Sequence, residues 1–457
     1  MSFIDKIIAL DSVSQLYDFK LTKSNVHMYP LIRFTLMRHA INEKLNLKAV
    51  DNPVSIIQKI ICCVKIFALS PWLPFPSKKY IYFGCDIANV KKGDKYFNRL
   101  SEFFAEESKD SIIFERHNNW SYKRPRSFPI VYPTEFINLK AGIKSLFQRR
   151  VDDDVKIEQF ISVLKDKFAY KFKDAKVWQY VRNSLHSFSS NLDLLEKDYK
   201  LLLKEISPKM IFVECACYGG RNVPLIIAAK KLGIKVVEYQ HGFLSYSHDA
   251  YNYSSNILEE YKCYLPDEML FYGDYWRNNS RLPIKTSSIG NPFLEENVAK
   301  IVKTEKKDHI LYISSVSYPE KNVEDVLFLV NSGLNVVFRP HPKEFSRLEN
   351  VYKPFLEQNI RIDKGLLYDS LNEARFVVSG GATTVIFEAA AFNCVVFLLK
   401  DPFSDENIKE ETFNYVNDIK GVVSKIKIDD YIENDPSIFW KNNWKNNFDE
   451  FIKSYDI

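Results

Sequence analysis

Apolar positions recur at helical spacing through roughly the first 75 residues of the chain, and the pattern then changes. Lys79–Gly84 (KYIYFG) is an unbroken apolar and aromatic run of strand length closed by a glycine, which predicts the start of an α/β region. Ser111–Phe114 and Pro129–Tyr132 are further strand candidates, and Val155 to Glu205 returns to helical spacing with few breakers. From Met210 the alternation is clear. MIFVE predicts a strand, Arg221–Leu232 a helix stopped by Gly233, and Lys235–Tyr239 the next strand, which together make a βαβ unit. A second series predicts strands at Ile310–Ser314, Asn335–Arg339, Phe376–Ser379 and Val395–Leu399 with helices between them.

This order predicts two Rossmann-like parallel-sheet domains that meet near Pro266–Asn291 and face each other across a cleft. Residues 1–265, with a helical N-terminal segment, are expected to form the first, and residues 266–430 the second. Residues 431–457 are expected as terminal helices that cross back to the first domain. No internal repeat or low-complexity tract interrupts the scheme.

Composition narrows the classes. At 457 residues, 46% apolar and 26% charged, the chain has material for two cores and none of the signs of disorder. The net charge of +5 arises from interspersed lysines and acids, so no nucleic-acid partner is expected. Seven cysteines, among them Cys62/Cys63 and Cys215/Cys217, fit neither a secreted disulfide framework nor a zinc pattern, and a reducing cytoplasm is the expectation. The start, MSFIDKIIALDSVSQ, lacks the features of a signal peptide. Val54–Phe75 is the most apolar segment. Gln58, Lys59 and Lys65 interrupt it and Pro71 and Pro74 close it, so packing within the protein is expected ahead of interfacial binding, and spanning is not expected.

The polar residues with chemical potential cluster after strands, where open α/β sheets bind ligands. Arg339, His341 and Lys343 alternate around Pro340 and Pro342 at one strand exit and predict an anion grip, against the alternative of a solvated turn. Ser379-Gly380-Gly381-Ala382-Thr383-Thr384 leads into a helix carrying Glu388, which offers backbone N–H groups and hydroxyls to a phosphate or ribose; the alternative is an ordinary helix cap with glycines for close packing. Ser314 and Ser315 close another strand within reach of a nucleotide.

In the first domain, Glu214 leaves the MIFV strand backed by apolar residues, a setting that raises a carboxyl pKa and suits proton abstraction, against the alternative of a capping acid near Arg221. His241, followed by Gly242, is expected in the cleft unless it is a satisfied structural histidine. Asp86 leaves the earliest strand as a second candidate base, with Arg99 in the polar stretch that follows. Asp152-Asp153-Asp154, after Arg149-Arg150 and with no strand before it, predicts an exposed loop or helix start rather than a metal site.

Taken together, Glu214 with its glycines, Gln240-His241-Gly242, Arg339-Pro340-His341-Pro342 and Ser379–Thr384 with Glu388 resemble bacterial surface-polysaccharide glycosyltransferases of the GT-B type, over roughly Met210–Leu399. The likeness is to the capsule and O-antigen transferases that use CMP-activated acidic sugars of the Kdo or sialic type. It implies a nucleotide-sugar co-substrate with no cofactor and no metal, His341 near the donor phosphate, Thr383 and Thr384 on phosphate, and an acid, Glu214, that activates the acceptor hydroxyl or attacks the sugar. The first domain would then bind an oligosaccharide or lipid-linked glycan acceptor and the second the donor, in the cytoplasm or at the inner face of the plasma membrane. Polyol-phosphate transferases share a similar cleft and a Gln-His-Gly run. A nucleotide-sugar epimerase and a non-catalytic nucleotide- or glycan-binding module are the competing readings.

Overall fold

The computed structural model describes residues 2–47, 54–70, 74–147 and 152–455; Pro71, Arg149 and Arg150 lie outside them. The first sheet is made of β1 (Tyr80–Cys85), β2 (Ser111–Arg116), β3 (Val131–Pro133), β4 (Met210–Val213), β5 (Lys235–Tyr239), β6 (Glu268–Phe271) and β7 (Lys285–Ser288). All pair in parallel, in the order β3-β2-β1-β4-β5-β6-β7. The second sheet contains β8 (Lys307–Ile313), β9 (Val336–Arg339), β10 (Arg361–Ile362), β11 (Ala374–Ser379), β12 (Val395–Leu399) and β13 (Asn414–Val416), again all parallel, in the order β10-β9-β8-β11-β12-β13. These are the two Rossmann-like parallel-sheet α/β domains expected from the alternation. In each sheet the strand order reverses direction once, between β1 and β4 in the first and between β8 and β11 in the second, and ligands of such sheets bind at that switch.

Because helices cover both faces of these sheets, the central strands are buried along their whole length, which is why they read as continuous apolar runs. Six helices matter for the site and its surroundings: α1 (Met28–Lys44), α2 (Ile56–Leu69), α3 (Glu135–Leu146), α4 (Lys176–Ile206), α5 (Thr384–Ala391) and α6 (Trp444–Lys453). The 31-residue α4 buries Val177, Val181, Leu185, Leu192, Tyr199, Leu203 and Ile206, one or two helical turns apart, along the first domain.

Several expectations change. The helical stretch from Val155 to Glu205 is two helices, Asp154–Lys167 and α4, separated by a segment in which Phe168 and Phe172 stack on each other and Phe172 meets Trp178 edge to face. The domain boundary expected at residues 265/266 falls inside the first sheet, whose strands β6 and β7 continue to Ser288; both strands are short, and the polar KTSS of β7 carries little of the apolar run that marks a buried strand. Asp153 is not exposed. It is 2% accessible and accepts hydrogen bonds from the Thr22 and Ser189 hydroxyls, tying the N-terminal segment to α4.

The terminal segment returns to the first domain: Phe448 of α6 packs on Phe104 and Phe212 at ring distances of 4.9 and 5.9 Å. Its approach requires glycine at residue 290, where φ is 99° and a Cβ would lie 2.5 Å from the Lys441 carbonyl oxygen. The segment expected to pack inside the protein, Val54–Phe75, instead forms α2 with only Cys62 and Ile66 buried, so most of its isoleucines face solvent.

Candidate active site

Glu214 follows β4 at the switch point of the first sheet. The chain turns sharply after it, because Cys215 adopts the left-handed region (φ 61°, ψ 32°), an uncommon conformation for a non-glycine residue. The loop beyond is held from behind by the first turn of α1: Gly219, at φ 62°, comes so close to the Pro30 carbonyl oxygen that a Cβ there would lie 2.5 Å from it. This turn directs the Glu214 carboxylate at β1, where Oε2 accepts the Cys85 N–H at 3.0 Å. Glu214 is 4% exposed, and burial lifts its carboxyl to about 7, although the Arg116 guanidinium and the Cys85 N–H favour the anion. The Asn98 amide, the Tyr239 hydroxyl and Glu214 Oε2 converge on the face of Gly84. Tyr239 is 1% exposed and its hydroxyl has no hydrogen-bond partner among the described residues. Thr134, Asn138, Arg116 and Arg221 complete the walls of a small cavity beside Glu214.

His241 leaves the adjacent strand, β5. Its imidazole is half-buried, with the Tyr218 hydroxyl 3.2 Å from Nε2 and the Cys215 sulfur 3.6 Å away. Desolvation, with the charges of His248, Arg99 and Arg116, lowers its pKa to about 3, so it is a neutral hydrogen-bonding group at ordinary pH. Beneath it Glu238, fully buried and also raised to about 7 by burial, accepts the Tyr251 hydroxyl at 2.6 Å and the Cys217 N–H at 2.7 Å.

Asp86 does not join this group. It is 1% exposed and accepts hydrogen bonds from the Asn89 amide (2.7 Å) and the Lys123 N–H (2.8 Å). Asn89 continues to Glu115, which pairs with Arg126, and Arg126 pairs with Glu102. The network fixes the hairpin Asn89–Lys92/Lys95–Asn98 on the sheet, which makes Asp86 a structural acid and removes it as a candidate base.

At the second switch point, β8 and β11 deliver Ser314-Ser315 and Gly380-Gly381 side by side. The Ser315 hydroxyl lies beside Gly381, and Asn322 clamps the Ser315 backbone through both its N–H and its carbonyl. Thr383 occupies the N-cap of α5 without making a side-chain capping bond, so it leaves the first-turn N–H groups uncapped by its hydroxyl. Glu388 lies one turn beyond Thr384 on the same face of α5. It is 6% exposed and burial lifts it to about 7, against the Arg99 guanidinium and a hydrogen bond from Tyr368.

Three of the expected nucleotide-binding residues, Arg339 of the anion grip with Ser314 and Ser379, are otherwise engaged. The Arg339 guanidinium pairs with Asp363 and donates to Ser370 (3.0 Å) and the Gly365 carbonyl (2.9 Å), which neutralises it within its own domain. Ser314 donates to Glu344 and accepts the His341 N–H at 2.8 Å, while Ser379, 1% exposed, donates to the Gly381 carbonyl at 2.7 Å. Gly380 serves packing: a Cβ there would lie 3.2 Å from the Tyr312 hydroxyl. His341 and Lys343 remain exposed at the strand exit. Nδ1 of His341 accepts the Lys343 N–H at 3.1 Å, so the ring proton sits on Nε2, and that donor is the one offered to a ligand. Partial desolvation and neighbouring Lys343 hold its pKa below the usual histidine value.

Arg99, Arg116, Tyr239, Tyr272 and Tyr368 belong to the site beyond the residues the sequence singled out for chemistry. The Arg99 charge favours the anions of Glu214, in the first domain, and of Glu388, in the second, and the same three charges act on the Tyr272 phenol. Extending the predicted strand Ser111–Phe114 by two residues would have placed Arg116 at a strand exit. Among the described residues no group of three His, Cys, Asp or Glu side chains is arranged to hold a metal ion.

No protein-family model matches the chain, and no curated protein matches it. Among solved structures it is similar to a UDP-N-acetylglucosamine 2-epimerase from Rickettsia bellii, with 12% identity, 83% of this chain and 96% of that one covered and a TM-score of 0.46. A putative UDP-N-acetylglucosamine 2-epimerase from Listeria monocytogenes is similar at 10% identity, covering 83% and 97%, with a TM-score of 0.45. An alpha,alpha-trehalose 6-phosphate synthase from Burkholderia multivorans is similar at 11% identity, covering 83% and 99%, with a TM-score of 0.41.

Proposed function

We propose that the chain is a metal-independent glycosyltransferase that moves a sugar from a nucleotide-activated donor to a hydroxyl of a lipid-linked or growing surface glycan at the inner face of the plasma membrane. The observation that carries this reading is Glu214, a buried carboxyl with a pKa of about 7 at one switch point, with Glu388 of α5, also buried and raised to about 7, at the other. A base poised near neutral pH accepts the acceptor hydroxyl proton as the new C–O bond forms. The bond between the sugar carbon and the phosphate oxygen breaks, and the negative charge gathers on the departing nucleotide. Nε2–H of His341, Lys343 and the N-terminus of α5 would meet that charge, while His241, held neutral, donates or accepts a hydrogen bond without adding charge. Glu388 sits where a ribose or sugar hydroxyl would lie along α5.

A CMP-linked acidic sugar is the favoured donor, and Arg99 and Arg116 beside Glu214 are suited to its carboxylate. Thermal unfolding in a panel of cytidine, uridine, guanosine and adenosine mono- and diphosphates tests the reading, since a nucleotide bound only by the folded state raises the melting temperature. CMP is expected to give the largest rise, and a chain stabilised by none of them is not a nucleotide-sugar enzyme. Transfer is expected to continue in EDTA; loss of turnover in chelator with recovery on Mg²⁺ or Mn²⁺ would reject the metal-independent mechanism.

A further inference from the structure

α2 carries its apolar face outward. At about 100° per residue, Ile56, Phe67, Ile60, Val64, Ile57 and Ile61 spread over roughly 140° of one side. Ile56 is 75% exposed, Ile57 70% and Val64 62%. Lys59 and Lys65 border this arc on its two sides, and the opposite side holds the helix to the protein through Cys62 and Ile66 against Tyr122. α2 adjoins α3, which exposes Leu139, Ile143 and Leu146, followed by Phe147 at 85%. A surface helix of a water-bathed protein does the reverse, so this face is built for a partner.

The charges say which partner. Between Asp51 and Asp86 the charged residues are Lys59, Lys65, Lys78 and Lys79, and between Glu135 and Asp152 they are Lys140, Lys144, Arg149 and Arg150, with no acid in either stretch. Asp110 pairs with Lys78, and Asp198 with Lys140 and Lys144, which leaves the surroundings positive. A second copy of the chain would bring these cations face to face. An apolar arc flanked by lysines is instead the form of a helix lying in the boundary between lipid headgroups and acyl chains. Fourteen residues make α2 about 21 Å long, too short to span, and no helix among the described residues is long and apolar enough to cross a membrane.

We propose that α2 and the end of α3 dock the protein on an anionic lipid surface. α3 then links that surface to the candidate active site, because Asn138, on its first half, lines the Glu214 cavity, and Leu146 lies about 12 Å further along the helix. An acceptor with a lipid anchor would reach Glu214 without leaving the bilayer; this consequence rests on the transferase reading, whereas the docking itself does not.

Co-sedimentation of the full chain with vesicles separates the two. Binding is expected to vesicles of equal parts phosphatidylcholine and phosphatidylglycerol at low salt, and to be far weaker on phosphatidylcholine alone. The doubly substituted Ile60→Glu/Val64→Glu chain, altered only at exposed positions, is expected to lose about tenfold or more of that binding, and Lys59→Glu/Lys65→Glu to lose the preference for anionic lipid. Nucleotide-induced stabilisation should stay as in the parent chain in both. The proposal is overturned if the parent chain does not sediment with anionic vesicles, or if Ile60→Glu/Val64→Glu sediments equally well. It is also overturned if velocity sedimentation without vesicles finds a dimer that the same pair of substitutions dissolves, which would assign the face to a second copy.

Discussion

The two sheets have the same strand order around their switch points, and the chain has furnished those points in opposite ways. At the first, Glu214 and Tyr239 are almost wholly buried, and next to them lie Glu238, fully buried, and half-buried His241; burial dominates every one of the acid and histidine shifts. At the second, His341 and Lys343 stand in solvent, the Thr383 and Thr384 side chains are half-exposed, and the helix behind them lacks a side-chain cap. Dry titratable groups suit proton transfer, whereas wet donors and a helix N-terminus suit an anion that must arrive and leave. In the proposed transferase one topology supplies both halves of the reaction, and the difference lies in whether the strand exits are covered. In the first domain the cover comes from α1 and the loops it holds, through the buried Arg33–Asp11 pair and the Arg38–Asp249 pair.

The largest test of this contrast is Glu214→Gln, which keeps shape and hydrogen-bonding reach but removes the proton acceptor. Transfer is expected to fall by about 10²-fold or more with donor affinity near normal. In the parent chain the base must be ionised, so transfer should drop as pH falls through about 7, a limb that the variant should lack. The same shift has a stability sign. Because the folded pKa lies above the unfolded value, the contribution is present at low pH and lost as pH rises through about 7, so Glu214→Gln should melt higher than the parent at pH above 7 and equally at acidic pH. Near-parental turnover would break the assignment of chemistry to the first sheet.

A smaller effect is expected at the second sheet. His341→Ala removes one Nε2–H donor to a charged oxygen, and Thr384→Ala removes a hydroxyl at the start of α5. Each should weaken nucleotide binding by about tenfold, the size of one charge-assisted hydrogen bond, measured by calorimetry. Turnover at saturating donor should change less. If both leave affinity intact, the nucleotide is not held by the second sheet and the division of labour fails.

The fold was legible because parallel strands covered on both faces write themselves as short apolar runs, and MIFV, VVFR, FVVS and VVFLL are read almost to the residue. β6, β7, β10 and β13 escaped because EMLF, KTSS, RI and NYV are short and each carry at least one polar residue, and the domain boundary moved with β6 and β7. At the candidate site, strand-exit position pointed to Glu214 and His241, and the helix after the glycines to Glu388; the structure describes all three as buried or half-buried beside their switch points. Strand-exit position could not tell which exits are free. Asp86, Ser314 and Ser379 stand at exits too, but their partners, Asn89 and Lys123, Glu344 and the Gly381 carbonyl, become visible only when the loops close. Arg99 reads in the sequence only as part of a polar stretch, since the two acids whose anions its charge favours, Glu214 and Glu388, come from distant parts of the chain. The outward face of α2 has the composition of a buried helix, and sequence periodicity does not say which side of a helix meets solvent.

Arg339 gives the finest test, because sequence and structure assign it different work. From its strand exit it reads as a phosphate ligand, yet its guanidinium binds Asp363, Ser370 and the Gly365 carbonyl, and its side chain is 17% exposed against 8% for Asp363. If that geometry governs, Arg339→Ala should act on the second domain's stability. Removing the cation leaves a mostly buried carboxylate with only the Ser370 hydroxyl and the Gly365 N–H, a cost of roughly 1–3 kcal/mol that should appear as a lower melting temperature. The sign with pH follows from the same pair. Asp363 is held below the usual carboxylate range, with Ser370, the Gly365 N–H and Arg339 outweighing burial, so its stabilisation is present above the unfolded pKa and lost as pH falls. The gap between parent and variant should therefore narrow in acid. Nucleotide affinity of the folded variant should stay within about twofold of the parent, well under the change expected for His341→Ala. A variant that melts like the parent but binds nucleotide tenfold more weakly would mean that Arg339 leaves Asp363 for the donor phosphate, and the second switch point would then carry a mobile cation as well as its fixed donors.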